Sequence, residues 1–330
     1  MIYIKAPLRL SLGGGGTDLP WWYKKNSGYL ISVAINKYIH IIGSKRFYDN
    51  KIWLSYSKNE IVRNVEQIKN EIFRESLKLK KIKEGIEIHT ISDVPGNSGL
   101  GSSGAFTAGL IYFLEKYKKQ IINKKKIAEE SCNIEMSNLK KSSGKQDQYI
   151  STYGGFKEIK INKKGLVKIK NINLNKKIIK KFNDSMFLIH TNISRKSENV
   201  LKSQKNQFFL DKKNISKVMN QIQKIGYKTK KILLEGDVIG LGKLFDIHWN
   251  LKKKLSPIMS SELISNIYQE AKNNGAIGGK IIGAGGGGYF LFIVNKKNKK
   301  KFLSFLKKKK LTNLPFEFEK SGIKEIKETL

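Results

Sequence analysis

Four glycines fall within nine residues of the segment 95–105, and two serines stand side by side among them. Glycines let backbone N–H groups approach an anion closely, and the first N–H groups of a helix have no partner inside that helix. The segment therefore predicts a cradle for a phosphate chain such as a triphosphate, between a strand and a helix. A glycine-rich turn whose serines only cap the helix is the alternative. The residues expected to bind the phosphates are Pro95, Gly96, Asn97, Ser98, Gly99, Leu100, Gly101, Ser102, Ser103 and Gly104.

Glycine is also concentrated in two other parts of the sequence. Of the 29 glycines, 16 lie in the segments 13–16, 96–104 and 275–288. Such clustering is typical of places where the backbone approaches a ligand or adopts positive φ. These three segments are therefore the candidate sites. The third is expected to pack against the substrate and against the segment 95–105, called the phosphate loop below.

Three other nucleotide-binding signatures are excluded. The P-loop needs Gly-Lys followed by Ser or Thr, but the three Gly-Lys pairs are followed by Gln146, Leu244 and Ile281. Residues 99–104 match G-x-G-x-x-G, the motif of dinucleotide-binding folds. Such a fold also needs an acidic residue at the end of a second strand about 20 residues later, but that region of this chain is Lys-rich and helical. The protein-kinase signatures H-R-D and D-F-G are absent.

The elements that must position these loops follow from the spacing of apolar residues. Strands and helices are mixed without strict alternation, which indicates an α+β protein of two lobes. The patterns predict strands over 1–12, 29–43, 51–56, 85–92, 156–161, 165–170, 185–191 and 289–294, and helices over 59–81, 103–118, 124–139, 197–209, 213–234, 260–274 and 296–309.

The composition narrows the class of protein further. The chain has 64 Lys+Arg and 27 Asp+Glu, a net charge of +37, but only five of the cations are Arg. The lysines are spread along a chain rich in Ile and Asn, which favours solvated surface charge over a nucleic-acid surface. A single cysteine, Cys132, excludes an internal disulfide framework. No apolar run approaches the ~20 residues of a membrane span, so we expect a soluble, cytoplasmic protein.

Three segments resemble the signature motifs of the GHMP small-molecule kinases, and they occur in that family's order. They are residues 6–19, with four glycines before Thr-Asp, residues 95–105, and residues 280–288. Together with 144–149, the first is most similar to the branch acting on D-glycero-D-manno-heptose 7-phosphate. The resemblance implies a two-lobed fold, with an N-terminal mixed α/β nucleotide-binding lobe and a C-terminal ferredoxin-like α+β lobe. The corresponding domains would be 1–170 and 171–330.

The resemblance also implies catalytic roles for single residues. Asp147, in a segment read as a loop, would accept the proton of the sugar hydroxyl, although a solvated carboxylate is the alternative. Arg9 would lie near the transferred phosphoryl group, where its planar guanidinium can donate two parallel hydrogen bonds to an anion. Ser103 and Glu135 would hold Mg²⁺. Helical spacing places Glu135 on an apolar stripe with Cys132, where a carboxylate needs a partner.

Two further groups of residues are candidates for substrate binding. Arg195 and Lys196 follow a predicted strand together with hydroxyl residues, and they would bind a phosphate already present on the substrate. By resemblance, the motif at residues 6–19 and the third glycine segment would hold the sugar, although Asp18 could be a turn residue. These expected contacts are Gly14, Gly15, Thr17, Asp18, Gly285 and Gly286.

The implied function is an ATP- and Mg²⁺-dependent kinase that phosphorylates the anomeric hydroxyl of heptose 7-phosphate to the 1,7-bisphosphate, for nucleotide-activated heptose and surface polysaccharide. The alternatives are a family kinase for fucose or a hexose, an inactive regulator that binds ATP, and a nucleic-acid-binding module. We expect a monomer or homodimer with a small phosphosugar substrate and without nucleic-acid or membrane partners.

Overall fold

The chain forms a large mixed sheet and a smaller antiparallel sheet, each covered by helices. The computed structural model describes residues 1–194 and 197–327. Its strands are β1 (Ile2–Gly13), β2 (Gly28–Lys45), β3 (Ile52–Ser55), β4 (Asn59–Val62), β5 (Ile86–Ser92), β6 (Phe156–Ile161), β7 (Val167–Asn171), β8 (Met186–His190), β9 (Ala276–Ile281), β10 (Tyr289–Val294) and β11 (Lys324–Glu325). Its helices are α1 (Pro20–Asn26), α2 (Glu71–Leu79), α3 (Ser102–Tyr117), α4 (Lys124–Asn133), α5 (Gln146–Tyr153), α6 (Lys176–Ser185), α7 (Ser197–Leu210), α8 (Lys212–Glu235), α9 (Val238–Lys253), α10 (Glu262–Asn273) and α11 (Lys299–Lys308).

The larger sheet carries the first glycine segment at the end of β1, a strand that pairs with β2 along its whole length. Its order in the described residues is β11-β1-β2-β5-β3-β4, and β6 and β7 join through β2. β2 is long enough, at 18 residues, to pair with β6 in its first half and with β5 in its second. Residues 6–13 of β1 are buried in succession, so both faces of this strand are covered. Helices α3, α5 and α8 pack against it.

The smaller sheet has the order β8-β10-β9 in the described residues, with all neighbours antiparallel. Helix α9 packs on β9 and β10 through Gly242, where a Cβ would lie 2.7 Å from Ile277 Cγ2. A single cluster of buried apolar side chains continues from Leu10 of β1 to Leu291 of β10. The predicted two-lobed α+β architecture is confirmed.

The chain crosses between the lobes more than once. A bridge between Ile189 and Asn313 lies at the edge of the smaller sheet. The segment after it returns to the larger sheet, where Phe318 bridges to Ile35 and β11 pairs with β1. No helix in residues 1–194 and 197–327 has both the length and the apolar character needed to cross a membrane.

The helix predicted over 59–81 is wrong in its first half. Residues 59–62 form β4 instead, and α2 begins only at Glu71. The reason is local hydrogen bonding. Asn70 caps α2 by accepting from the N–H groups of Ile72 and Phe73, while Glu60 accepts from the backbone before the helix. Apolar residues spaced for a helix face also fit a short strand followed by a turn.

The only cysteine of the sequence, Cys132, lies in α4 and is 1% exposed. Burial raises the pKa of its thiol well above the ordinary value, so the reactive thiolate is scarce. We expect no reaction with a thiol-specific reagent in the folded protein and one thiol per chain after unfolding in denaturant. Rapid labelling of the native protein would contradict this placement.

Candidate active site

A cleft of about 550 Å³ is lined by residues of both lobes. On one side are the end of β1 and the first turns of α3 and α5. On the other are residues of α7, Lys252 of α9, and the start of the third glycine segment at Gly283 and Ala284. The three glycine segments singled out from the sequence therefore meet at one cleft.

The phosphate loop opens into this cleft through the start of α3. Gly99 and Gly101 have φ values of +80° and +83°, a conformation that favours glycine. Gly101 is the N-terminal cap of α3 and provides no capping side chain. The first N–H groups of α3 are therefore available at the cleft, where residues 101–104 line the wall.

Of the other residues predicted to bind phosphate in this loop, some line the cleft and some do not. Asn97, Ser98 and Gly99 line the cleft. Pro95 and Gly96 are exposed and lie outside its lining. Leu100 is fully buried in the main core and is also outside the lining, so its side chain anchors the loop.

Asp147 and Arg9 form a two-pronged ion pair at the cleft. Arg9 Nε donates to Asp147 Oδ1 at 2.7 Å, and Nη2 donates to Oδ2 at 3.0 Å. Arg9 Nη1 also donates to the Gly99 carbonyl at 2.6 Å, so one guanidinium ties β1, α5 and the phosphate loop together. The segment carrying Asp147 is not a loop, because Asp147 lies in the first turn of α5.

Glu135 and Ser103, the two residues expected to hold the metal, are brought together at the cleft. A π-helical turn, Ile134–Asn138, follows α4 and carries Glu135, whose side chain faces the cleft while only 2% of the residue is exposed. Ser103 Oγ donates to its Oε2 at 2.8 Å, and Gln148 Nε2 donates to its Oε1 at 2.9 Å. Burial raises the pKa of Glu135, and these hydrogen bonds oppose that shift.

The oxygen atoms of Ser103 and Glu135 fit a Mg²⁺ ion that also holds phosphate oxygens. Mg²⁺ prefers one or two protein oxygens together with phosphates and water. No cluster of three or more His, Cys, Asp or Glu suited to a metal occurs in the described residues. The oxygen Gln148 Oε1, buried beside this pair, has no hydrogen-bond partner in the described part of the chain.

Asp18 is held by backbone donors at the edge of the cleft. Its Oδ1 accepts from Gly16 N and its Oδ2 from Gln146 N, both at 3.1 Å. Burial, and then the charge of Asp147, raise the pKa of Asp18. A Cβ on Gly144 would lie 1.9 Å from Asp18 Oδ2, so glycine is needed there.

Three other residues of the motif at 6–19 were expected to contact the sugar, and only one of them lines the cleft. Gly15 lines the cleft, whereas Gly14 does not. Thr17 is fully buried and also lies outside the lining. Its hydroxyl donates to the carbonyls of Gly14 and Tyr29, which braces the loop against β2.

The third glycine segment packs on the phosphate loop. A Cβ on Gly283 would lie 2.6 Å from Gly99 O, and one on Gly288 would lie 2.5 Å from Ser98 O. Gly285 and Gly286 are outside the cleft lining. Arg195 and Lys196 lie outside the residues that the structure describes.

Sequence reasoning missed a buried basic pair behind the cleft. Lys280 Nζ donates to Leu12 O at 3.1 Å and lies 3.2 Å from His248 Nδ1. Burial, with the charge of Lys252 added, lowers the pKa of Lys280 and of His248. Lys280 thereby links β9 to the end of β1, just before the first glycine segment. The signal was a lysine inside an apolar strand, which needs a partner when buried.

His248 should make the fold sensitive to acid. The unfolded chain protonates this ring near its ordinary pKa of 6.5, and the folded chain does so only well below it. The unfolded state therefore binds more protons as the pH falls below 6.5, and the free energy of unfolding falls by up to about 1.4 kcal/mol per pH unit. Urea unfolding at about pH 5 and about pH 7 measures this slope.

The matched variant is His248→Gln, whose amide oxygen can still accept from Lys280. We expect a flatter dependence of the free energy of unfolding on pH than in the wild type. Equal slopes in both proteins would contradict a neutral, buried His248.

Two family models match the chain, in the order in which the glycine segments occur. Residues 59–155 match the GHMP kinases N terminal domain, and residues 229–312 match the GHMP kinases C terminal domain. Among curated proteins, the D-glycero-alpha-D-manno-heptose 7-phosphate kinase of Campylobacter jejuni is 31% identical and covers 98% of this chain and 98% of its own length.

Two solved structures extend the comparison to the fold. A D-glycero-D-manno-heptose 1-phosphate kinase from Bacteroides thetaiotaomicron has a TM-score of 0.83 at 22% identity and covers 100% of both chains. A putative sugar kinase from Campylobacter jejuni has a TM-score of 0.78 at 29% identity and covers 98% of both chains. With both domain models matched and a relative aligned over almost its whole length, the chain belongs to the GHMP kinases and is an ATP-dependent phosphotransferase.

Proposed function

We propose that this kinase transfers the γ-phosphoryl group of ATP to the anomeric hydroxyl of D-glycero-D-manno-heptose 7-phosphate, giving ADP and the 1,7-bisphosphate. The observation that best supports phosphoryl transfer is the ion pair between Arg9 and Asp147 at the cleft. The same Arg9 guanidinium also donates to the phosphate loop. The acceptor is supported by the heptose 7-phosphate kinase that is 31% identical over 98% of the chain.

In this proposal Asp147 is the general base. Arg9 holds its carboxylate in one orientation through two hydrogen bonds. The acceptor O–H gives its proton to Asp147 as its oxygen forms a bond to the γ-phosphorus, and the bond from that phosphorus to the oxygen of ADP breaks. The N–H groups at the start of α3 stabilise the phosphate charge.

Ser103 and Glu135 would hold Mg²⁺. When bound, the ion neutralises charge on the phosphates and orients them. Gln148 keeps the Glu135 carboxylate oriented toward the cleft through its hydrogen bond to Oε1.

For the sugar, we propose that Asp18 and Gly15 contact hydroxyl groups and that Arg195 and Lys196 bind the 7-phosphate. Asp18 is supported by its place on the cleft and by the backbone donors that fix it. The phosphate role predicts that Arg195→Ala weakens binding of heptose 7-phosphate but not of ATP. Unchanged affinity for the phosphosugar would remove it.

We further propose a nucleotide lobe over 1–170 and a second lobe over 171–330. In support, β7 ends at Asn171 and the next strand, β8, belongs to the smaller sheet, while β11 near the end of the second lobe returns to pair with β1. We place the enzyme in the cytoplasm, where ATP is abundant, in the synthesis of activated heptose for surface polysaccharide.

The test is a coupled ADP-release assay with ATP, Mg²⁺ and a panel of acceptors. The panel is heptose 7-phosphate, heptose 1-phosphate, mannose 6-phosphate, fucose, galactose and mevalonate. We expect kcat/KM for heptose 7-phosphate to exceed that for each other acceptor by about 100-fold or more, because a site built for polar groups rejects analogues that leave them unpaired. A preference for fucose or a hexose would overturn the acceptor and keep the kinase.

A further inference from the structure

Gln148 is a buried residue at the cleft whose side-chain amide nitrogen has a hydrogen-bond partner while its amide oxygen has none in the described residues. It follows Asp147 in α5, is 1% exposed and belongs to the cleft lining. Its Nε2 donates to Glu135 Oε1 at 2.9 Å, whereas its Oε1 is buried without a hydrogen-bond partner in the described residues. A buried amide oxygen that stays unpaired is costly, so this atom needs a donor.

The orientation of the amide is fixed by chemistry. Exchanging its nitrogen and oxygen would bring an oxygen to 2.9 Å from the Glu135 carboxylate, and two acceptors would then face each other. The NH₂ group must therefore face Glu135. The remaining atom, Gln148 Oε1, is an acceptor and therefore requires an O–H or N–H donor.

The surroundings of Glu135 indicate what that donor is. Ser103 donates to the other carboxylate oxygen, so this buried carboxylate is oriented from both sides. Mg²⁺ keeps several water molecules when it binds to proteins, and each of them is a donor. Residues that orient a metal ligand or its bound water commonly change metal affinity when they are replaced.

We propose that Gln148 is a positioning residue of the metal site, with Nε2 fixing Glu135 and Oε1 accepting a hydrogen bond from a water molecule bound to the Mg²⁺. This proposal rests on the proposed function, because it takes the metal to be bound with the nucleotide. Gln148 also neighbours Asp147 in α5, so one helix positions both the general base and the metal ligand.

The experiment measures Mn²⁺ binding by electron paramagnetic resonance in the presence of a non-hydrolysable ATP analogue. Gln148→Met keeps the length of the side chain and removes both hydrogen bonds. We expect it to weaken Mn²⁺ binding by about 10-fold or more and to alter the spectrum of the bound ion. Binding of the analogue without metal should stay unchanged.

The matched control is Ser151→Ala. Ser151 is also in α5, is 1% exposed and has an unpartnered buried Oγ, but it is outside the cleft lining. We expect this variant to bind Mn²⁺ as the wild type does. A loss equal to that of Gln148→Met would indicate a general effect on α5 and overturn the proposal.

A second variant, Gln148→Asn, keeps an amide group on a side chain that is one methylene shorter. It therefore tests the role of the amide's position at the metal site if Gln148→Met does not fold. We expect weaker Mn²⁺ binding here too. Wild-type affinity in whichever of these two variants folds would overturn the inference about Gln148 and leave the proposed function intact. A wild-type protein that binds no Mn²⁺ with the nucleotide analogue would instead count against the proposed function itself.

Discussion

Replacing Asp147 with asparagine should lower kcat by about 1,000-fold, within the range typical for losing a general base. Asparagine has nearly the same shape and its oxygen can still accept one of the two hydrogen bonds from Arg9, but it cannot take a proton from the acceptor hydroxyl. Because the sugar and nucleotide contacts remain, we expect KM for both substrates to change much less than kcat. Steady-state kinetics in the coupled assay measure both quantities.

The control for this variant is Asp184→Asn. Asp184 is an exposed carboxylate of α6, paired with Lys180 at 3.0 Å and outside the cleft lining. We expect wild-type kinetics from it. If Asp147→Asn keeps more than about a tenth of wild-type kcat, Asp147 is not the base that the proposed mechanism requires.

Gly104→Ala should also abolish most activity, for a steric reason. A Cβ at Gly104 would lie 2.5 Å from Asp147 Cβ and 3.1 Å from Gln148 N, so α3 and α5 must move apart. Alanine stabilises a helix relative to glycine by about 1 kcal/mol, while overpacking costs about 1–3 kcal/mol. We therefore expect a modest loss of stability. Displacing Asp147 by about 1 Å should cost about 100-fold in kcat/KM.

Gly96→Ala is the matched control in the same loop. No atom lies within 4 Å of a Cβ built at Gly96. We expect melting temperature and kinetics close to those of the wild type. If Gly104→Ala retained full activity, the close packing of α3 on α5 would not be what positions Asp147. A loss of ATP affinity in Gly96→Ala would place the exposed start of the loop at the nucleotide.

The sequence was most informative where function depends on residue type over a short stretch. Glycine clusters and adjacent serines predicted three segments that the fold brings to one cleft, because positive φ and free N–H groups are local properties. The pairing of Arg9 with Asp147 spans 138 residues, and only the family resemblance suggested that both act at one site. Spacing along the chain carries no information about such distant contacts.

Side-chain direction and local backbone geometry explain most of the remaining differences between the sequence-based predictions and the structure. Composition gave no sign that Thr17 would brace its own loop or that Leu100 would anchor the phosphate loop in the core. The π-helical turn at Ile134–Asn138 directs Glu135 to the cleft, although a regular helix was predicted there. The sequence predicted no role for Gln148, because a buried amide can be interpreted only when its partners are known.

The most direct test of the proposed reaction identifies the product of ATP and D-glycero-D-manno-heptose 7-phosphate by ³¹P nuclear magnetic resonance. We predict ADP and one new phosphomonoester signal coupled to the anomeric proton, with the 7-phosphate signal retained. Formation of ADP and inorganic phosphate without a new ester, or an ester at another position of the sugar, would contradict transfer to the anomeric hydroxyl.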